Sequence, residues 1–169
     1  MIVIDGNIGC GKSTVLDRLA ELGHTVHKEK IDLWPLEEFY QDRKTWAMPL
    51  QLAVFNSMKP VQGIHERCPD SAYHVFWREQ ESPESRVVND FYQRHRWTPE
   101  VHIYLRASPE WCMKNIHKRT QAGDSGVTLE YLRELHTRYE DFFHSVPHVE
   151  INAERTIDDI LSDTIRCLP

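Results

Sequence analysis

Residues 6 to 14, GNIGCGKST, follow directly on MIVID and restrict the fold of this chain more than any other stretch. They satisfy G-x-x-x-x-G-K-[ST], with Gly6, Gly11, Lys12 and Ser13 in the defining places. Ile2, Val3 and Ile4 form a β-branched apolar run suited to a buried parallel strand. Val15, Leu19 and Leu22 then recur at helical spacing before Gly23 closes the segment. Strand, glycine loop and helix in that order let backbone N–H groups close on phosphate oxygens at a helix N-terminus, where partial positive charge favours an anion. Gly6, Asn7, Ile8, Gly9, Cys10, Gly11, Lys12, Ser13 and Thr14 are therefore the candidate cradle for the phosphates of ATP. In this arrangement Lys12 reaches the β- and γ-phosphates, Ser13 ligates Mg²⁺ and Thr14 donates to the α-phosphate. The other reading is a glycine-rich turn that binds nothing.

At 169 residues the chain suits one domain, 1–169, long enough for a single sheet with helices on both faces. A net charge of −6 argues against a nucleic-acid coat or a polybasic membrane anchor, so neither nucleic acid nor membrane is an expected partner. Cys10, Cys68, Cys112 and Cys167 form no C-x-x-C pair, which favours free thiols in a reducing compartment. Cys10 lies inside the glycine loop, either as a thiol acidified by its surroundings or as a small inert filler. The ten histidines show no H-E-x-x-H spacing, so a metal cluster is not expected. No apolar run approaches membrane-spanning length, and a strand beginning at residue 2 leaves no room for a cleavable targeting peptide. A cytoplasmic location is expected.

Along the chain, HTVHKE reads as a second strand ending at Glu29, and WPLEEFYQD as a short helix with Pro35 in its first turn. A longer helix is predicted from Trp46 to Met58, then a third strand in VQGIHE, then helix from Ser71 to Trp97 with a break near ESPES. EVHIYL alternates as a strand, and SPEWCMKNIHKR starts with a serine cap and a first-turn proline. TLEYLRELHTRYEDFF is strongly amphipathic, HVEIN is the last strand, and a helix from Thr156 to Cys167 closes the chain. Strands alternating with helices imply an α/β sandwich on a parallel sheet, with ligands at the carboxyl ends of the strands. That rule alone brings Glu29, Glu66 and Arg67 to the edge that carries the glycine loop. Two carboxylates and an arginine there suit phosphoryl transfer, one carboxylate as base, the other beside Mg²⁺, the arginine against developing charge. Glu66 and Arg67 also read as a surface ion pair at a strand end.

Further segments carry a resemblance. EKIDLW, with Glu29 and Trp34, is similar to E-P-V-x-x-W, and YQDRKTWAMPLQ, from Tyr40 to Gln51, is similar to Y-x-x-x-x-x-W-x-x-x-x-Q. ERCPDSAYHVF, IYLRASPEWC and GVTLEYLRELH resemble three more segments of the same family. From residue 2 to about 157 the sequence resembles the deoxynucleoside kinases, in particular the mitochondrial-type thymidine kinases and the insect deoxyribonucleoside kinase, with features of the herpesvirus thymidine kinases. The resemblance implies a P-loop kinase three-layer sandwich, with a five-stranded parallel sheet flanked by helices and a lid over about 114–126. It implies Glu29 as general base for the substrate 5′-hydroxyl, Arg67 beside it, and Glu66 with Ser13 around Mg²⁺. Tyr40 and Asp124 would bind the sugar 3′-hydroxyl, and Gln51 would pair with the base. Trp34, Leu50 and Phe76 would form apolar walls, Val54, Met58 and Ala72 the base's exocyclic edge, and Arg119 the closing lid. Asn115 and Gln121 stand where lid arginines are usual. Uncharged Met58 and Ala72 leave room for a thymine methyl group, which points to thymidine and other pyrimidine deoxynucleosides. A homodimer is implied by resemblance only, and the adenine is expected against NAERT, residues 152 to 156.

Several of these residues have plainer readings: Trp34, Trp46 and Phe76 as core, Tyr40 and Gln51 as helix surface, Asp124 as a turn residue. Three rival functions remain open at this level. A thymidylate-type monophosphate kinase shares the loop but usually carries E-P-G-G where this chain has EKID. A regulatory GTPase would need an N-K-x-D segment, which is absent, and an inactive nucleotide-binding protein would lack turnover.

Overall fold

Four consecutive buried residues, Ile2–Asp5, make β1, the middle of a five-stranded sheet of order β2-β3-β1-β4-β5 with every pairing parallel. The other strands are β2 (Val26–His27), β3 (Ile64–Glu66), β4 (Val101–Arg106) and β5 (Val149–Asn152). The computed structural model describes residues 1–77, 83–119 and 124–169. β2 and β3 are shorter than the runs expected from HTVHKE and VQGIHE, so Glu29 lies two residues beyond its strand.

Alternation divides the sheet into two faces. Ile2, Ile4, Ile103 and Leu105 share a core with Val15, Leu16 and Leu19 of α1 (Lys12–Glu21). Burying each of those helix side chains contributes about 1.5–3 kcal/mol. On the other face, Tyr104 packs among Leu135, Tyr139, Phe142 and Phe143. The sequence TLEYLRELHTRYEDFF supplies this second layer, and Thr128 starts the helix by accepting from the Tyr131 N–H.

The remaining helices are α2 (Leu36–Gln41), α3 (Arg43–Ser57), α4 (Pro69–Ser71), α5 (Ser85–His95), α6 (Pro109–Lys118), α7 (Leu129–Ser145) and α8 (Ile157–Arg166). α3 starts three residues earlier than the sequence pattern suggests because the Asp42 carboxylate caps the Thr45 N–H. Pro49 sits inside it, which removes one backbone donor from the ladder. After α4 the backbone widens into a π-helical turn, Ala72–Phe76, and Trp77 is already extended. The break expected near ESPES therefore begins earlier, at Trp77; Glu81 and Ser82 of that segment lie outside the described residues. The serine cap and proline start read from SPEWCMKNIHKR are both present in α6. No helix among the described residues is long and apolar enough to cross a membrane.

Candidate active site

Parallel pairing sets Glu66 beside Ile4, so β3 ends where the glycine loop begins. The loop then depends on two glycines for its shape. Gly6 has φ +146°, and a Cβ there would sit 2.5 Å from the Leu105 carbonyl oxygen. Gly9 has φ +83°, with its missing Cβ 2.6 Å from the Cys112 carbonyl oxygen, so any side chain would push the loop off α6. Asn7 ties the loop to α7 by donating from Nδ2 to the Leu132 carbonyl at 2.9 Å, and Asn115 ties it to α6 through the Gly9 carbonyl at 3.0 Å. The Lys12 ammonium lies over the loop, 3.1 Å from the Gly6 carbonyl and 2.9 Å from that of Asn7.

Beside this loop the charged side chains form one connected group. Ser13 Oγ donates to Glu66 Oε1 at 2.9 Å, and the Glu29 N–H donates to Glu66 Oε2 at 3.4 Å. Arg67 Nη1 donates to Glu29 Oε2 at 2.5 Å, Nη2 to the Gly6 carbonyl at 3.1 Å, and Nε to the Tyr139 hydroxyl at 2.9 Å. The Phe76 ring lies under the guanidinium at 4.7 Å. Arg67 has φ +63°, a left-handed conformation that costs about 1–3 kcal/mol for a residue with a side chain, and these anchors hold it there.

Electrostatics follow from burial. Glu29 is pushed above the ordinary glutamate value of 4.5, first by burial and also by the nearby Glu66; Arg67 and Lys12 oppose the shift. Burial works against the charge on Arg67, but Glu29, Tyr139 and Asp5 outweigh it and keep the guanidinium protonated. Tyr40 is pushed up, mainly by burial.

One cavity of about 780 Å³ runs from the loop to the far end of α3. Ile8, Gly9, Gly11, Lys12, Ser13 and Thr14 line one end with Glu29, Glu66 and Arg67, while Trp34, Tyr40, Leu50, Gln51, Val54, Ala72 and Phe76 line the other. Gln51 is buried, and its Nε2 donates to the Ala72 carbonyl at 2.9 Å. Arg119 and Asp124 also line the cavity, paired to each other through two hydrogen bonds of 2.8 and 3.1 Å. The glycine loop, the Glu29–Arg67 pair and an apolar slot with one amide thus share a single space.

The sequence matches the family model described as deoxynucleoside kinase over residues 2–165. The chain belongs to the deoxynucleoside kinase family. It is 35% identical to the thymidine kinase of Ictalurid herpesvirus 1 (strain Auburn), over 98% of this chain and 84% of that one. It is 28% identical to the deoxyadenosine kinase of Dictyostelium discoideum, over 93% of this chain and 74% of the relative. The deoxyadenosine kinase from M. mycoides with bound dATP superposes with a TM-score of 0.78 at 22% identity, covering 98% of this chain and 97% of that one. That last likeness carries the fold, the parallel sheet with flanking helices of the P-loop kinases.

As a deoxynucleoside kinase the chain is an enzyme that moves a phosphoryl group from a nucleotide donor to a small nucleoside. Most residues singled out by the sequence meet at its cavity, with exceptions. Met58 does not line it: α3 ends at Ser57, and Met58 turns into the apolar cluster with Phe55, Trp77 and Tyr92. Gly6, Asn7 and Cys10 belong to the loop but do not line the cavity; the Cys10 side chain is core filler, 1% exposed. Gln121 lies outside the described residues, as do 120, 122 and 123 of the expected lid. All four cysteines are free. Asp5, Cys68 and His102 do come within 4.8 Å of one another, a grouping the histidine spacing gave no hint of. The Asp5 carboxylate, however, already accepts from the Gly6 N–H and from Tyr139.

Phe39, Arg43, Trp77 and Tyr131 line the cavity without having stood out in the sequence. Tyr131 belongs to an apolar stripe that reads as core, and Arg43 precedes the expected start of α3. Its guanidinium covers the Tyr131 ring at 4.5 Å, a contact that only the fold creates.

Proposed function

We propose that this kinase transfers the γ-phosphoryl of ATP to the 5′-hydroxyl of thymidine and other pyrimidine deoxynucleosides, serving nucleotide salvage. The observation that carries the reading is the buried Glu29–Arg67 pair, set between the glycine loop and the apolar slot of one cavity. Glu29 takes the proton of the 5′-hydroxyl, a role suited to a carboxyl lifted towards neutrality by burial. Arg67 has five N–H groups, of which three are used within the described residues, so one on each terminal nitrogen is free to meet the hydroxyl and the transferring phosphoryl. Lys12 and the loop amides hold the donor's phosphates.

The Ser13 hydroxyl and Glu66 carboxylate, 2.9 Å apart beside the loop, are hard oxygen donors and fit Mg²⁺. Ser13 and Glu66 would hold the ion, which would supply charge neutralisation for the donor's phosphates. Gln51 offers the base a donor and an acceptor, Phe76 and Trp34 flank it, and the small uncharged Val54 and Ala72 leave space for the 5-methyl group of thymine. Tyr40 and Asp124 take the 3′-hydroxyl, with Arg119 leaving Asp124 to close over the phosphates as part of a lid at about 114–126. The adenine rests against residues 152–156. Similarity to a viral thymidine kinase supports the choice of thymidine. We further assign one domain over 1–169 and a homodimer, and the four free thiols fit a cytoplasmic setting.

An assay coupling ADP release to thymidine or to thymidine monophosphate tests the reaction. The reading expects turnover with thymidine, and turnover confined to the monophosphate would contradict it.

A further inference from the structure

Behind Arg67 the structure contains a second, fully enclosed polar group for which the reaction as described has no use. Asp5 at the end of β1 has no exposed surface, and neither does Tyr139 in the middle of α7. The Tyr139 hydroxyl donates to Asp5 Oδ1 at 2.8 Å and accepts from Arg67 Nε at 2.9 Å. Asp5 Oδ1 also takes the Gly6 N–H at 2.9 Å, stands 3.7 Å from Arg67 Nε, and its other oxygen lies 3.3 Å from His102 Nε2. An aromatic residue filling a core needs no hydroxyl, and an enclosed carboxylate is expensive unless every partner is in place. Besides His102 of β4, the groups that the Asp5–Tyr139 pair holds are the first amide of the glycine loop and the Nε edge of Arg67.

We propose that Asp5 and Tyr139 are positioning residues for phosphoryl transfer: the carboxylate fixes the direction of the Tyr139 O–H, and the hydroxyl's lone pair then holds the Nε edge of Arg67. The proposal rests on the assignment of Arg67 to the transferring group. A guanidinium has one Nε edge and two terminal nitrogens in a rigid fork, so fixing Nε fixes the aim of both others. With Nε on Tyr139, Nη1 faces Glu29 and Nη2 faces Gly6, which leaves one N–H on each terminal nitrogen without a partner among the described residues. Phe76 under the guanidinium, 6.1 Å from the Tyr139 ring and edge-on to it, blocks the alternative tilt. The same Asp5 carboxylate holds the first amide of the loop, so the donor cradle and Arg67 are referred to one anchor. Misplacement of such a group by about 1 Å can cost about 10²-fold in rate.

Tyr139→Phe deletes the hydroxyl and keeps the ring. Its kcat should fall about 10- to 100-fold while KM for thymidine and for ATP stays within about three-fold. Arg67→Lys, measured in parallel, lacks the Nε donor; adding Tyr139→Phe to it should lower kcat by no more than about two-fold further. If Arg67→Lys keeps wild-type turnover, the role given to Arg67 fails. If Arg67→Lys is impaired while folded Tyr139→Phe is not, or if the two losses multiply in the double variant, the positioning role is overturned. Should Tyr139→Phe be too unstable to assay, Asp5→Asn replaces it: a fall in kcat of about 3- to 10-fold at unchanged KM supports the proposal, and wild-type kcat overturns it.

Discussion

Glu29 lies within 10% of full side-chain burial against a guanidinium, and that placement fixes how its variants should behave. Burial raises its pKa above 4.5, so kcat/KM should rise with pH through a limb lying above the ordinary glutamate range, since only the ionised carboxylate can accept the hydroxyl proton. Glu29→Gln should lose that limb and about 10³-fold in kcat with little change in KM for ATP, measured by steady-state kinetics across pH. Gln51→Leu removes the amide from an enclosed slot; KM for thymidine should rise about 10- to 100-fold while KM for ATP stays put. Glu29, Glu66 and Arg67 were legible from sequence because strand ends in a parallel sheet are forced to one edge. Tyr139 was not, since its spacing in α7 announces only a buried ring, and nothing local tells that its hydroxyl meets Asp5 across 134 positions of chain. Met58 was misplaced because only the resemblance assigned it; as the residue that ends α3 it packs with Phe55, Trp77 and Tyr92 instead.

At the scale of elements, the glycine loop and α6 are fitted to each other. Gly9→Ala must accommodate a Cβ 2.6 Å from the Cys112 carbonyl oxygen at φ +83°, so it should lower stability by about 2 kcal/mol or more and raise KM for ATP more than KM for thymidine. Unfolding curves and the two KM values check it together; an unaltered melting temperature would show that the loop yields easily. Helix starts with side-chain caps, at Ser108, Thr128 and Thr156, were readable because capping is local chemistry. The start of α3, three residues before the one at Trp46 that the sequence pattern predicts, carries the same kind of local mark in Asp42. The π-helical turn at Ala72–Phe76 left no mark in the sequence, because nothing in AYHVF favours a widened turn over an α-helical one. Both its first and its last residue, Ala72 and Phe76, line the cavity.

For the whole molecule, one buried charge links the fold to the site. Burial alone would raise the Asp5 carboxyl, but the hydrogen bond and charge of His102 and the charge of Arg67 outweigh it and hold the group down at about 2, from an ordinary 3.8. A depressed carboxyl stabilises the fold above its unfolded value and loses that contribution as pH falls towards its folded one. Between pH 5 and pH 3 the wild type should therefore lose about 1 kcal/mol more than Asp5→Asn, measured by urea unfolding at each pH; parallel losses would mean that Asp5 is not the anchor described. The five strands and their parallel direction could be read from strand–helix alternation and one glycine loop, whereas the order β2-β3-β1-β4-β5 could not, because it depends on which strands pair across the sheet. The contents of the slot depended on family resemblance, because which side chains from α2, α3 and the π-helical turn face one another is settled by packing between elements far apart in sequence. The central claim is the choice of acceptor, and it is tested most directly by following γ-phosphoryl transfer from ATP to thymidine, deoxycytidine, deoxyadenosine and deoxyguanosine with the purified protein. Thymidine should be phosphorylated with the highest kcat/KM, and deoxyguanosine exceeding thymidine, or transfer to none of the four, would contradict the account.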